Sequence, residues 1–193
     1  MLKTLILILA HTIVSNISLT ENIVFSVIQE NKQVGEMVGQ KSISSDNVIY
    51  SCLTNVTTKK IIKIKVLSEY QVTMQEGKLQ MANANIKVKG LQYANHYTEF
   101  CKEDCDKSNR KSSFTNQTIH FTCTMLLFEE PINVSRIYNE LDGKFHILKS
   151  KGSHIYEKIN PEGKVSRYFY KNGKLEKAVI ETDAMNFSLV RKI

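Results

Sequence analysis

Residues 161–181 read PEGKVSRYFYKNGKLEKAVIE, and the stretch carries two turn signals, one at 161–163 and one at Asn172-Gly173. An Asn-Gly pair is the strongest short-range signal for a β-hairpin, because both residues tolerate the positive φ angles of a tight turn. Between the turns, Tyr168 and Tyr170 share one face of a strand and their neighbours share the other. A nucleic-acid platform needs aromatic and cationic side chains on one surface. The stretch therefore predicts β-hairpins with a structural role rather than a nucleic-acid-binding surface.

The rest of the chain repeats this pattern of short β runs separated by turn residues. In KKIIKIKV, Ile62, Ile64 and Val66 share one face while Lys63 and Lys65 share the other. Such alternation is typical of strands with one face on a core and one face in water. Strands joined by short turns pair antiparallel.

Length and composition indicate one globular domain. The chain has 193 residues, of which 42% are hydrophobic and 23% charged. We predict an all-β domain over residues 19–193, a mostly antiparallel meander of roughly nine to twelve strands curled into a half-open barrel or a two-sheet sandwich. At most one or two short helical turns are expected, at 135–141, whereas 118–128 is predicted as a strand and 97–116 as the longest loop.

The N-terminus, MLKTLILILAHTIVSNIS, has the layout of a secretory signal peptide: one lysine, an apolar run, then small and polar residues. We expect residues 1–18 to be this leader, with cleavage between Ser15 and Thr20. An ordinary buried N-terminal strand or helix is the alternative. The apolar run is far shorter than the ~20 residues needed to span a bilayer, so we do not expect a membrane-spanning protein.

The chain is basic, with a formal net charge of +7. Basic charge is one mark of a nucleic-acid-binding protein. Here the lysines alternate with apolar residues along strands, which spreads the charge over a solvated sheet face. We therefore expect no specific nucleic-acid partner.

Four cysteines, Cys52, Cys101, Cys105 and Cys123, are an even number in a chain predicted to be exported, so disulfides are plausible. On the predicted strands, Cys52 and Cys123 both point inward. They can bridge across the core or sit there as small free hydrophobes. The pairing we favour is 52 with 123 and 101 with 105, one of three connectivities that four cysteines allow.

A metal site is a more specific interpretation of the loop that contains Cys101 and Cys105. His96, Cys101 and Cys105, with Asp104 or Asp106, are ligand types that zinc accepts. Their spacing matches no established structural zinc pattern, and exported thiols tend to oxidise. We predict no metal site.

No catalytic constellation is visible in the sequence. His146 and His154 flank a turn and can face each other across a hairpin, although two exposed strand histidines is the simpler interpretation. Glu129 and Glu130 point to opposite faces if the strand continues, so they do not act together. Phosphate-binding loops, nucleophile elbows and zinc-protease motifs are missing from the sequence. We expect no enzyme and no cofactor.

Four sequence patches are informative through their order and spacing along the chain: FSVIQENKQVGEMVGQKS, EGKLQMA, LLFEEPINVSRIYNELDGKF and HIYEKINPEGKVSRYFYKNGKLEKAVIE. They match an early turn pattern at Lys32, Val34 and Gly35. The later pattern is matched by Phe128, Glu130, Pro131, Tyr138, Glu140, Gly143, Tyr156, Pro161, Gly163, Tyr168, Tyr170 and Gly173. From about Ile23 onward the chain thus resembles a domain family of unknown function found in exported Bacteroidetes proteins. The resemblance implies an antiparallel β domain in the bacterial envelope, assigns no activity, and does not include the loop CKEDC.

A curled sheet with few helices encloses a concave apolar interior, as the mouths of β-barrels do. We therefore expect a non-enzymatic protein of the periplasm or outer envelope of a Gram-negative bacterium that binds or carries a hydrophobic small molecule or lipid. The alternative is a structural or interaction module whose basic strand face touches acidic lipid headgroups or glycans. An enzyme with an unrecognised site is third, and the oligomeric state stays open.

Overall fold

The computed structural model describes residues 19–59, 63–100, 113–115, 117–182 and 186–192. The predicted signal peptide at 1–18 lies outside this part of the chain. The prediction of an all-β fold is confirmed: the only helical element within the described ranges is one 3-10 turn at Thr124–Leu127. The strands are β1 Leu19–Gln29, β2 Lys32–Ser44, β3 Asn47–Lys59, β4 Lys63–Gln75, β5 Lys78–Val88, β6 Leu91–Phe100, β7 Ser113–Thr115, β8 Arg136–Asn139, β9 Lys144–Ser150, β10 Ile155–Ile159, β11 Val165–Lys171, β12 Lys174–Ile180 and β13 Phe187–Arg191.

All these strands form one sheet, in the order β7-β6-β5-β4-β3-β2-β1-β13-β12-β11-β10-β9-β8. Twelve strands are antiparallel to their neighbours, and the short β7 joins β6 in parallel. The two-sheet sandwich is therefore wrong, and the single open sheet favours the half-open barrel. Pairing of β1 with β13 in the middle of the sheet joins an N-terminal meander to a C-terminal one.

The two edges of the sheet approach each other, although no backbone pairing joins β6 to β8 among the described residues. Thr98 on β6 and Tyr138 on β8 share a hydrogen bond of 2.6 Å between their hydroxyl oxygens. Gly143, after β8, lies so close to β6 that a Cβ there would collide with the His96 ring. The sheet is thus curled, with a concave inner face.

The connection from β7 to β8 runs from one edge of the sheet to the other. Its first part, residues 117–130, is called here the crossing segment. The strand predicted at 118–128 is wrong, because within the described ranges only Thr122 forms a bridge, to Tyr138. Ile119 and the four residues 125–128 are buried, and Phe121 and Cys123 are half-buried, because the segment lies inside the curl of the sheet.

The short helical turns predicted at 135–141 are also wrong. Arg136–Asn139 is β8, which pairs with β9 through the turn that contains Gly143. A ladder with β9 satisfies the backbone groups that a helix would otherwise pair within itself. Of the predicted loop at 97–116, the first four residues belong to β6 and 113–115 form β7.

The hairpins predicted at 161–163 and Asn172-Gly173 are confirmed. Asn172 and Gly173 have φ angles of 53° and 74°, as a primed hairpin turn requires. Tyr168 and Tyr170 are buried on the inner face, while Arg167 is exposed on the outer face. The alternation therefore positions the tyrosines toward the interior.

Candidate functional site

The crossing segment covers one end of the inner face. Leu126 and Ile119 are completely or almost completely buried, and the Leu79 amide donates to the Ile119 carbonyl at 2.8 Å. The Phe128 ring packs edge-on against Tyr50 with 5.5 Å between ring centroids. Phe128 also lies against Gly39, where a Cβ would come within 2.9 Å of the ring. We call this part of the inner face the covered end.

Two adjacent glutamates tie the crossing segment to opposite halves of the sheet. Glu129 accepts hydrogen bonds from Lys41 Nζ and Tyr50 OH, both at 2.5 Å, on β2 and β3. Glu130 accepts from Tyr156 OH at 2.8 Å on β10, and its other contact is His154 Nδ1 at 2.8 Å. Each of the two carboxylates thus has its own partners, on separate parts of the sheet.

Several predicted scaffold residues converge on the covered end. Tyr170 OH donates to the Leu126 carbonyl at 2.7 Å, and the Thr124 amide donates to Glu140 Oε1 at 2.7 Å. Tyr138 exchanges backbone hydrogen bonds with Phe121 and Cys123. These contacts hold the crossing segment in place.

The other predicted scaffold residues shape the backbone. A Cβ at Gly35 would collide with the Asn55 carbonyl on β3. Pro131 is buried directly after the two glutamates. Pro161 is exposed, and Gly163 and Gly173 have positive φ angles in hairpin turns. None of these positions carries a reactive group, so their role is conformational.

Burial decreases along the inner face of β4 and β5 with distance from the crossing segment. On β4, Val72 is fully buried, whereas Tyr70 and Val66 are half-buried. On β5, Ala82 and Ala84 are fully buried, whereas the apolar residues farther along the same face are half-exposed. We call that region the apolar strip: Val66, Ile86, Val88, Leu91 and Ala94.

The register of the ladders makes the apolar strip continuous across three strands. Val66 pairs with Val88, Val88 pairs with Leu91, and Ile86 pairs with Ala94. Leu91 is 75% exposed although it lies on the inner face. The strip is the open end of the same face whose other end is covered.

A group of polar side chains lies between the two ends. We call it the interior polar cluster: Cys52, Tyr70, Cys123, Glu140, Lys158 and Tyr168. Lys158 Nζ lies 4.0 Å from Cys123 Sγ, and its charge interacts with Tyr70, Tyr168 and Glu140. Both halves of the sheet and the crossing segment contribute to the cluster.

The thiols and phenols of the cluster keep their protons at neutral pH, and Lys158 keeps its charge. Burial raises the pKa of Cys52 and of Cys123 to about 12, although Lys158 opposes the shift at Cys123. Burial also raises the pKa of Tyr168 to about 12 and that of Tyr70 above its usual value. At Lys158 burial disfavours the ammonium, but the surrounding acidic groups outweigh it and raise the pKa. The cluster therefore offers hydrogen-bond donors.

Comparison with known families decides which family this chain belongs to. Residues 25–192 match the model of the family described as Domain of unknown function (DUF6134). The chain belongs to this family. No curated protein and no solved structure matches the chain.

In this DUF6134 domain Cys52 and Cys123 are free thiols, so the predicted bond between them is not formed. Cys123 does not lie on a strand facing Cys52, because the crossing segment turns into its 3-10 helix at this point. Cys52 instead contacts Thr54 Oγ1 at 3.9 Å. The predicted partners Cys101 and Cys105 lie outside the described residues.

The histidines do not form the pair considered from the sequence. His146 is buried and contacts Asp142 Oδ2 at 2.8 Å, whereas the exposed His154 contacts Glu130. Asp142 has a lowered pKa: burial raises it, but the hydrogen bonds from His146 and the Lys144 amide, together with the charges of these two residues, outweigh burial. Across the described ranges no three metal-ligating side chains come together, and no helix is long and apolar enough to cross a membrane. Of the zinc candidates, Cys101, Asp104, Cys105 and Asp106 lie outside those ranges.

Sequence reasoning missed Lys158 and Tyr70. Both lie in ordinary β runs, where the alternation of lysines with apolar residues predicts that a lysine faces water. One signal was present: Lys158 is two residues from Tyr156 and so shares its inner face. A lysine on the same face as a scaffold tyrosine points toward the interior.

Proposed function

We propose that this domain is a non-enzymatic binder or carrier of a hydrophobic ligand, which it takes at the open end of the inner face. The observation that carries the proposal is the burial gradient along β4 and β5. Residues of the same face pass from full burial at Val72 and Ala82 to half-exposure at Val66, Ile86 and Val88.

The apolar strip gives such a ligand a reason to bind. Burying an exposed side chain of the size of Leu or Val stabilises a complex by about 1.5–3 kcal/mol. Ligand sites are concave and mostly apolar, with few polar groups that fix orientation. The strip and the interior polar cluster have these two properties on one concave surface.

The chemistry of the thiols favours binding over catalysis. A thiolate is the nucleophilic form of cysteine, and a pKa raised to about 12 keeps Cys52 and Cys123 as thiols at neutral pH. A covalent mechanism through either side chain is therefore disfavoured.

The site of action we propose is the periplasm or outer envelope of a Gram-negative bacterium of the Bacteroidetes type. The leader-like N-terminus and the motif resemblance support export. An envelope location would bring the domain close to lipids. N-terminal sequencing of protein from the host tests this, because export predicts a chain that begins between Ser15 and Thr20, and a retained leader contradicts it.

Two measurements test the binding function. Native mass spectrometry of protein purified from its host should show a bound lipid that organic solvent extracts. Titration calorimetry with 1-decanol should show binding that Leu91→Asp weakens by about tenfold or more. Leu53→Asp is the matched control, because Leu53 is 46% exposed on the outer face. Equal effects of both variants, or no binding of decanol, would contradict the proposal.

A second candidate function rests on the outer face. A surface pocket of about 130 Å³ there is lined by Lys65, Leu67, Lys87 and Gly90. Two lysines beside an apolar side chain suit an acidic lipid headgroup or glycan. Co-sedimentation with vesicles that contain phosphatidylglycerol should fall in Lys65→Glu/Lys87→Glu, and unchanged sedimentation would exclude this surface.

A further inference from the structure

Lys158 is a charged residue on the inner face, and its ammonium has few hydrogen-bond partners there. Among the described residues its Nζ has one contact, the thiol of Cys123 at 4.0 Å, which is a weak acceptor. Glu140 acts on it electrostatically but does not reach ion-pair distance within the part of the chain described. Oε1 of Glu140 instead accepts from the Thr124 amide, and its buried Oε2 has no hydrogen-bond partner among the described residues. The ammonium therefore has N–H groups left for another acceptor.

The neighbours of Lys158 are donors as well. Neither Tyr70 nor Tyr168 has a hydrogen-bond partner for its hydroxyl among the described residues, although Tyr168 is only 5% exposed. Tyr156 and Tyr170, on the same inner face, do have partners in Glu130 and Leu126. Two phenols, a thiol and an ammonium thus lie near one another on the inner face, and all of them can donate hydrogen bonds to an added acceptor.

The interior polar cluster lies at the inner end of the apolar strip. Tyr70 follows Val66 and Ser68 on the same face of β4, so about 13 Å of strand separates Tyr70 from Val66. We propose that the ligand is an amphipathic anion, whose carboxylate head binds Lys158, Tyr70 and Tyr168 while its alkyl chain lies along the apolar strip. This inference rests on the proposed function, which it makes more specific.

Charge selects the type of head group. The cluster holds one ammonium, and the nearby Glu140 repels negative charge. A single negative charge is therefore better matched than a phosphate dianion, and a trimethylammonium head is repelled by the Lys158 ammonium. A neutral alcohol can accept a hydrogen bond but forms no ion pair with Lys158.

The experiment compares three ligands with the same alkyl chain on the full-length mature protein. Titration calorimetry at pH 8 is carried out with decanoate, 1-decanol and decyltrimethylammonium. Decanoate should bind about tenfold to a hundredfold more tightly than decanol, as a charge-assisted hydrogen bond implies. Decyltrimethylammonium should bind more weakly than either.

Lys158→Met keeps the length of the side chain and removes its charge. It should abolish the preference for decanoate and leave decanol binding unchanged. Tyr168→Phe removes one hydroxyl, should reduce the preference about threefold to tenfold, and keeps the inference testable if Lys158→Met does not fold. Lys149→Met is the matched control, because Lys149 is exposed on the outer face of β9.

The outcomes separate the two proposals. Decanol and decanoate of equal affinity, or an equal preference in wild type and in both cluster variants, would overturn the anionic head group and leave the hydrophobic site standing. Failure of all three ligands to bind would overturn both proposals. Loss of the preference in Lys149→Met as well would assign it to general surface charge and also overturn the inference.

Discussion

The covered end and the open end of the inner face are built from the same strands and differ in what lies over them. Val72 and Ala82 are fully buried at the end that the crossing segment occupies. Val66 and Ile86 are half-exposed a few residues farther along the same strands. The difference shows that the alternation of apolar residues along a strand predicts an inner face but does not predict whether another segment of the chain covers that face.

The difference also separates scaffold from function. Several of the scaffold residues matched in the sequence hold the crossing segment, as Glu130, Glu140 and Tyr170 do directly. The apolar strip contains no motif residue. Stability therefore depends mainly on the covered end, whereas ligand binding is proposed for the open end.

Alkaline pH should have the largest effect on the free energy of unfolding, because it ionises the buried thiols and phenols of the interior polar cluster, which lies between the two ends. Cys52 and Cys123 have ordinary pKa values of 9.0 and Tyr168 of 10.0, and burial raises all three to about 12. The folded state keeps protons that the unfolded chain releases from about pH 9 upward, so stability is lost as pH rises toward 12. Urea unfolding at a series of pH values should show a falling free energy of unfolding. A constant value up to pH 11 would mean that the thiols are not buried as described.

Leu126→Ala should be the most damaging single substitution at the covered end. Removing a fully buried leucine costs about 3–5 kcal/mol of the free energy of unfolding. The matched change at the open end, Leu91→Ala, should change it by less than about 0.5 kcal/mol. Urea denaturation of both variants measures this contrast, and similar losses would remove the distinction between the two ends.

Glu130→Gln should have an intermediate effect. The substitution keeps the size of the side chain but replaces two charge-assisted hydrogen bonds, to Tyr156 and His154, by weaker ones. We expect a loss of about 1–3 kcal/mol in the free energy of unfolding. Glu181→Gln, at the end of β12, is the control and should be nearly neutral. A neutral Glu130→Gln would show that this glutamate does not hold the crossing segment.

Tyr170→Phe should have the smallest effect. It leaves the ring in place and removes only the hydrogen bond to the Leu126 carbonyl, which costs about 1 kcal/mol. Thermal unfolding of the variant, compared with Tyr93→Phe at an exposed position, checks the value. A lowered stability in Tyr93→Phe alone would contradict the packing described here.

Local signals were enough to predict the hairpins but not the path of residues 117–130. Asn172 and Gly173 specify their turn through their own φ angles, so the sequence alone predicts it. The run TIHFTCTMLLF has the alternation of a strand, yet it becomes the crossing segment because β7 and β8 lie at opposite edges of the sheet. That arrangement depends on β1 pairing with β13, a contact between distant parts of the chain.

The candidate site was predictable only in part, for a related reason. A curled sheet with a concave interior followed from the succession of strands. The position of Lys158 on the inner face did not, because a lysine in a β run is usually solvated and its partners Cys123 and Tyr70 come from distant elements.

Hydrogen exchange with and without 1-decanol tests the contrast between the two ends most directly. Decanol should slow amide exchange at the open end, in residues 64–68 and 85–94. Exchange in residues 119–130 of the crossing segment should stay unchanged, because the covered end is already occupied by the protein itself. Protection confined to the crossing segment, or no change in either region at saturating decanol, would contradict the account.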